Sequence, residues 1–123
     1  MIIKSAIICL ALNVYFEARG ETTRGQYAVA HVTLNRAKQN GSDICTEVFK
    51  RGQFSWTRHK FKIPSAKDES WKVAQEVARR VVDSKDNTGG ATYFHSKNCK
   101  NTNVFKNKKL TTKIGGHIFY ANR

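Results

Sequence analysis

The chain has 123 residues, with 22 Lys or Arg against 9 Asp or Glu, a formal charge of +13. This length predicts one domain over residues 1–123 with a modest core. The lack of an apolar run of about 18 residues argues against a transmembrane segment. The charge predicts an anionic partner such as nucleic acid, acidic lipid headgroups or bacterial wall polymers, without selecting among them.

An apolar stripe predicts a first helix over residues 2–19. Its members recur at steps of four and three, the spacing of one helical face: Ile3, Ile7, Leu10 and Val14. Three residues further, the same face presents Glu17. A carboxyl group at the end of a buried stripe should have a raised pKa, which suits a general acid. A Glu17 that turns out to solvent at the helix end remains the alternative.

Turn and capping residues divide the next part of the chain. Gly20 suits the end of the first helix, and Thr22 or Thr23 can cap a second helix over residues 24–39. A short helical segment is expected over residues 44–49. The stretch that follows, RGQFSWTRHKFKIPS, is aromatic and basic, and is predicted to be a surface loop of the kind that lines binding sites.

A third helix should begin at Ser65 or Asp68. Its inner stripe is Trp71, Ala74, Ala78 and Val81, widened by Val77 and Val82. After a turn, residues 91–95 and 117–120 are short and aromatic, as strands are. The basic stretch SKNCKNTNVFKNKKL between them is expected to be a long excursion. The sequence therefore predicts an α+β domain, with helices followed by a small sheet.

Several polar residues are candidates for a binding site. Strand alternation places Tyr93 and His95 on one face, where they could bind a sugar or orient a catalytic acid, or simply face solvent. In QFSW, Gln53 offers an amide beside the flat rings of Phe54 and Trp56. Amides and flat rings suit sugar binding, although the two rings could equally belong to the core.

Other catalytic chemistries find little support. The four histidines are scattered without an HExxH motif or a His/Cys cluster, so neither a metal nor another cofactor is expected. Cys9 is expected to be a buried free thiol. Cys45 and Cys99 could meet across the fold, although the sequence does not establish a bond between them. No GxSxG motif occurs. Chemistry based on one or two carboxylates is the remaining enzyme class.

Four segments in order carry a family resemblance: YFEARGETTRGQYAVAHVTLNR, QFSW, GGATYFHS and KIGGHIFY. Together they resemble the cell-wall hydrolases of the SleB type, which include spore-cortex-lytic enzymes and related phage endolysins. The resemblance covers residues 9–120. It implies a lysozyme-like fold, with a helical lobe followed by a small antiparallel sheet. It also implies cleavage of peptidoglycan glycan strands between N-acetylmuramic acid and N-acetylglucosamine.

The resemblance assigns the catalytic acid to Glu17, the first Glu of EARGE. It implies a lytic transglycosylase that leaves 1,6-anhydromuramic ends. A muramidase-type hydrolase using Glu17 and Glu21 is the alternative, because hydrolases need two carboxylates. The remaining substrate-binding candidates form the expected cleft wall: Gln53, Tyr93, His95 and Tyr120.

This chain departs from the family pattern at two positions. His95 stands where many spore enzymes have Tyr. Gly52 stands where the family often has a cysteine, which would leave Cys45 without that partner.

The remaining expectations concern partners and location. We expect a monomer that binds bacterial peptidoglycan and no nucleic acid. The rival hypothesis is a small basic nucleic-acid-binding protein using the Lys-rich residues 97–113. Since no wall-binding module or signal peptide is recognisable, the chain should resemble an endolysin. Such a protein is made in the cytoplasm of a phage-infected bacterium and reaches the wall after the membrane opens.

Overall fold

The computed structural model describes residues 4–50 and 54–123. Four helices come first: α1 (Lys4–Ala18), α2 (Thr23–Asn40), α3 (Ile44–Val48) and α4 (Glu69–Val81). Three strands follow: β1 (Tyr93–Ser96), β2 (Lys109–Ile114) and β3 (His117–Ala121). Short 3₁₀ turns occur at Ser55–Arg58 and Asn103–Phe105. This order confirms an α+β domain in which a helical lobe precedes a small antiparallel sheet.

Helix α1 lies at the centre of the helical lobe and contacts α2, α3 and α4. The predicted stripe is confirmed at Leu10 and Val14, which are fully buried, whereas Ile7 is only partly buried. Ile3 lies outside the described residues. Ala11 and Leu12 are buried as well, so α1 is covered on more than one face. No described helix is long and apolar enough to cross a bilayer.

Local capping residues set the ends of α2 and α4. The Thr22 hydroxyl accepts a hydrogen bond from the Gly25 amide at 3.2 Å, and the Asp68 carboxylate accepts one from the Trp71 amide at 3.2 Å. Gly41, with φ of 61°, ends α2 in the left-handed conformation that glycine adopts most easily. These contacts confirm Thr22 and Asp68 as caps.

The inner stripe of α4 is confirmed for five of its six members, all of which are buried: Trp71, Ala74, Val77, Ala78 and Val81. The prediction for Val82 is wrong, because that side chain is 39% exposed. Val82 is the C-cap residue that follows Val81, the last residue of α4.

The sheet has the order β1-β3-β2, and both pairings are antiparallel. Tyr93 is opposite Tyr120, and Phe94 is opposite Phe119. The stretch between the two aromatic strands was predicted to be a long excursion as far as Leu110. That prediction is wrong at its end, because strand β2 begins at Lys109. This edge strand is largely exposed and carries lysines, so its sequence lacks the apolar alternation of a half-buried strand.

A disulfide joins Cys9 of α1 to Cys45 of α3, with the two Cα atoms 5.3 Å apart. The prediction of a free thiol at Cys9 is therefore wrong, and Cys45 pairs with Cys9 where the family often offers a cysteine at position 52. Cys99 is an exposed free cysteine, which excludes the considered Cys45–Cys99 bond. The two bonded cysteines are 36 residues apart, and they meet because α3 folds back onto α1.

Removing this disulfide by the double substitution Cys9→Ala and Cys45→Ala should lower the free energy of unfolding by roughly 2–4 kcal/mol. The expected cause is the greater freedom of the unfolded chain once the loop is open. Urea unfolding followed by circular dichroism measures the effect. Cys99→Ala is the matched control and should change little. A double variant as stable as wild type would contradict the prediction.

Candidate active site

A cavity of about 280 Å³ lies where α1 and α2 meet the sheet. The residues around it come from both lobes: Glu17, Val32, Arg36, Phe54, Tyr93, Phe94 and Phe105. Four of these seven side chains are aromatic. The polar groups are one carboxyl, one guanidinium and one phenol, so the cavity combines flat apolar walls with a few polar atoms, as ligand sites do.

Glu17 is the penultimate residue of α1, and its side chain is partly buried at the cavity. Burial raises the pKa of Glu17 from an ordinary 4.5 to about 7, because an ionised carboxylate loses water there. Among residues 4–50 and 54–123, Glu17 is the only carboxylate that lines the cavity. A carboxyl with this pKa can hold a proton near neutral pH and deliver it to a bound molecule.

Arg36, which was not among the predicted site residues, also lines the cavity. Its Nε lies 3.4 Å from Oε1 of Glu47, and its Nη1 donates a hydrogen bond to the Thr92 carbonyl at 2.9 Å. Its Cζ is 5.0 Å from the centre of the Tyr93 ring. These contacts fix the guanidinium between α2, α3 and β1. The signal in the sequence was a cation on the same side of α2 as Val29 and Val32.

Glu47 is a buried carboxylate, only 1% exposed. Burial alone would raise its pKa. Hydrogen bonds from Ser42 and Asn40 outweigh that effect and, with the charges of Lys50 and Arg36, hold the pKa below its usual range. Glu47 therefore stays ionised and balances the charge of Arg36. Glu17 forms no ion pair with any cation of residues 4–50 and 54–123.

The predicted substrate-binding residues are found in different places. Tyr93 lines the cavity, with the Lys108 Nζ 4.3 Å from the centre of its ring. Phe94, the next residue of β1, lines the cavity too, although neighbouring side chains of a strand point to opposite faces. Gln53 lies outside the described residues.

His95 and Tyr120 are not among the residues that line the cavity. The His95 Nε2 and the Tyr120 hydroxyl are hydrogen-bonded at 3.0 Å, and His95 Nδ1 lies 2.7 Å from the Ser96 carbonyl. The centre of the Phe105 ring lies 4.7 Å from the centre of the His95 ring and 5.0 Å from that of Tyr120. His95 and Tyr120 therefore pack against Phe105, which lines the cavity, and do not line it themselves.

Glu21 contacts the turn between β2 and β3. Its Oε1 accepts a hydrogen bond from the Gly116 amide at 2.9 Å, and a Cβ added at Gly116 would lie 3.0 Å from its Oε2. Gly115 has φ of 56°, a conformation that favours glycine. The carboxylate of Glu21 is thus occupied in holding the hairpin against the helical lobe, and Glu21 is not among the cavity-lining residues.

The charge of Glu21 also affects His117, the first residue of β3. Burial lowers the pKa of His117, while the carboxylate of Glu21 opposes that shift.

No group of three or more His, Cys, Asp or Glu side chains in the described chain could hold a metal ion.

A family model described as Cell Wall Hydrolase matches residues 20–120. The chain belongs to this family. Among curated relatives of this cell wall hydrolase is the spore cortex-lytic enzyme of Halalkalibacterium halodurans, 31% identical over 116 residues. The match takes in 89% of this chain and 33% of the relative, so the chain spans about a third of that relative's length.

Two solved structures resemble this cell wall hydrolase along almost its whole length. The catalytic domain of Bacillus cereus SleB matches with a TM-score of 0.80 and 26% identity, covering 98% of this chain and 92% of that one. The catalytic domain of SleB from Bacillus anthracis is described as a germination-specific lytic transglycosylase. It matches with a TM-score of 0.79 and 26% identity, covering 97% of this chain and 96% of that one. Both structural matches include part of α1, which lies outside residues 20–120, the span of the family model. The predicted SleB resemblance and lysozyme-like fold are confirmed.

Proposed function

We propose that this chain cleaves the glycan strands of bacterial peptidoglycan between N-acetylmuramic acid and N-acetylglucosamine, as a lytic transglycosylase with Glu17 as its single catalytic acid. The observation that carries the proposal is a lone cavity carboxyl whose pKa burial raises to about 7. Membership of the cell wall hydrolase family supports it, as does the lytic transglycosylase description of the B. anthracis domain.

The mechanism uses Glu17 twice. First, protonated Glu17 gives its proton to the glycosidic oxygen. The bond from muramic C1 to that oxygen breaks, its electron pair leaves with the N-acetylglucosamine hydroxyl, and C1 becomes oxocarbenium-like. The muramic 6-hydroxyl then attacks C1 and gives its proton to the Glu17 carboxylate. A 1,6-anhydro ring forms, the acid is regenerated, and no water is consumed.

The cavity walls suit a sugar polymer. Phe54, Phe94 and Phe105 offer flat apolar faces, while Tyr93 and Arg36 offer hydrogen-bond donors between them. We propose that Tyr93 contacts the substrate directly, and that His95 and Tyr120 act by holding Phe105 in place. A net charge of +13 would concentrate the protein at an anionic wall.

Mass spectrometry of the fragments released from purified peptidoglycan tests this proposal. We expect muropeptides that end in 1,6-anhydromuramic acid, each one water lighter than its reducing counterpart. Fragments with reducing muramic ends would establish hydrolysis and overturn the transglycosylase mechanism. A failure to release any muropeptide would overturn the proposed function.

Glu21→Gln should leave the cleavage rate within a few-fold of wild type. Gln retains an oxygen that can accept the Gly116 hydrogen bond, and a single-glutamate mechanism needs no second carboxylate. Release of soluble muropeptides over time measures the rate. A loss of roughly 10²-fold or more, the size expected for a catalytic carboxylate, would instead favour the muramidase mechanism that uses Glu17 and Glu21.

Cleavage should be fastest below neutral pH and should fall as the pH rises through about 7. Glu17 must carry a proton to start the reaction, and its pKa of about 7 means that the protonated fraction declines there. The dependence of kcat/KM on pH, at constant ionic strength, reports this ionisation in the free enzyme. An activity that falls only above pH 9, or one that rises through pH 7, would contradict the assignment.

A further inference from the structure

Asn13 is a buried polar residue in the middle of α1 with an unusual hydrogen-bonding state. Its side chain is 0% exposed, and its Oδ1 accepts a hydrogen bond from the Thr33 hydroxyl of α2 at 2.6 Å. Its Nδ2 is also buried, yet it has no hydrogen-bond partner among the described residues. Buried donors are nearly always paired, so an unpaired amide in the core requires an explanation.

The position of Asn13 relative to Glu17 supplies one. The two residues are four apart on the same helix, and therefore lie one above the other on one face. Side chains of a helix lean towards its N-terminus, so that of Glu17 extends over the turn that contains Asn13. Thr33 holds Oδ1, whereas Nδ2 has no partner among the described residues and so is available to a group on the shared face.

We propose that Asn13 is a positioning residue for Glu17, whose Nδ2 donates a hydrogen bond to the Glu17 carboxylate once that group has given its proton to the substrate. The inference rests on the proposed function. A neutral carboxyl gains little from such a donor, whereas a carboxylate gains a charge-assisted hydrogen bond. The amide therefore stabilises the state that develops during bond cleavage more than the resting state, as catalysis requires.

The other polar groups around Glu17 do not take this role in the resting protein. From α2, the Arg36 Nε lies 3.4 Å from Oε1 of Glu47 without a hydrogen bond to it, and Nη1 donates to the Thr92 carbonyl. From β1, the Tyr93 ring is contacted by Arg36 and by Lys108. Val32, Phe54, Phe94 and Phe105, the rest of the lining, carry no titratable group. Among the described residues of α1, Asn13 thus has the buried side-chain donor that lacks a partner, whereas Tyr15 donates to Asp68.

The test compares Asn13→Leu with the matched control Thr33→Val. Both break the same Asn13–Thr33 hydrogen bond, but only Asn13→Leu removes the amide. The Glu17 carboxyl is titrated by carbon NMR in each protein without substrate, and kcat is measured against pH on purified peptidoglycan. Asn13→Ala serves as a second variant if Asn13→Leu folds poorly.

We expect Asn13→Leu to raise the Glu17 titration midpoint and the upper pH limit of kcat by roughly one unit, and to lower kcat below pH 6 about tenfold with little change in KM. Thr33→Val should leave both midpoints within a few tenths of a unit. Equal behaviour of the two variants would show that Asn13 only ties α1 to α2, and would overturn the proposal. The titration needs no activity, so it remains decisive even if peptidoglycan is not the substrate.

Discussion

Glu17→Gln is expected to lower the rate of muropeptide release by roughly 10²- to 10⁴-fold, the contribution typical of a general acid. Gln has nearly the same shape and would preserve the cavity, but it has no acidic proton to give to the glycosidic oxygen. Clearing of a purified peptidoglycan suspension and quantification of soluble muropeptides both measure the loss. Clearing at the wild-type rate would exclude Glu17 as the acid.

The stability of Glu17→Gln provides its control. The raised pKa means that folded Glu17 keeps a proton that the unfolded chain releases between about pH 4.5 and pH 7. The stability contributed by the protonated form is present below pH 4.5 and is lost as the pH rises through 7. Gln does not ionise, so the variant should become more stable than wild type over this range. If Glu17→Gln were inactive because it is unfolded, its measured stability would be lower than that of wild type, contrary to this expectation. Glu69→Gln, an exposed change of equal charge on α4, should retain activity.

Arg36→Leu should lower the free energy of unfolding by about 3–5 kcal/mol, the usual cost of leaving a buried charge without its partner. Glu47 would remain buried after the substitution, with hydrogen bonds from Ser42 and Asn40 but without the guanidinium. The Thr92 carbonyl would also lose its donor. Urea unfolding at pH 7, followed by circular dichroism, measures the change.

Two further variants separate a lost ion pair from a general loss of charge. Arg36→Leu combined with Glu47→Leu should be more stable than Arg36→Leu alone, because the buried carboxylate has been removed as well. Arg79→Leu breaks an exposed ion pair with Glu76 and should cost less than about 1 kcal/mol. If Arg36→Leu costs no more than Arg79→Leu, the buried pair is not a stabilising feature.

The parts of the fold that the sequence could predict depend on local patterns. The spacing of Leu10, Val14 and Glu17 is enough to place a carboxyl at the end of a buried helix face. Thr22 and Asp68 mark helix starts because capping involves residues only three apart. Strand alternation was less informative, because it grouped Tyr93 with His95, whereas Tyr93 and Phe94 line the cavity.

What the sequence could not predict depends on contacts between distant segments. The Glu21 carboxylate meets the Gly116 amide across 95 positions of chain, and no local pattern links them. The Cys9–Cys45 bond follows from the way α3 folds back onto α1. Lys-rich β2 becomes a strand only because β3 pairs with it. Arg36 joins the cavity through Glu47, Thr92 and β1 together. The monomeric state and the site of action stay predictions.

The burial of α1 between the other three helices has a consequence for how a long polymer is handled. Local opening of a protein reaches exposed, lightly packed segments before enclosed ones. Here the enclosed side of the cavity carries Glu17, the proposed proton donor, whereas the far side consists of the edge strand β1 and the 3₁₀ turn that ends in Phe105. A glycan chain would therefore be admitted and released by outward movement of the sheet side. The acid would remain stationary through every turnover.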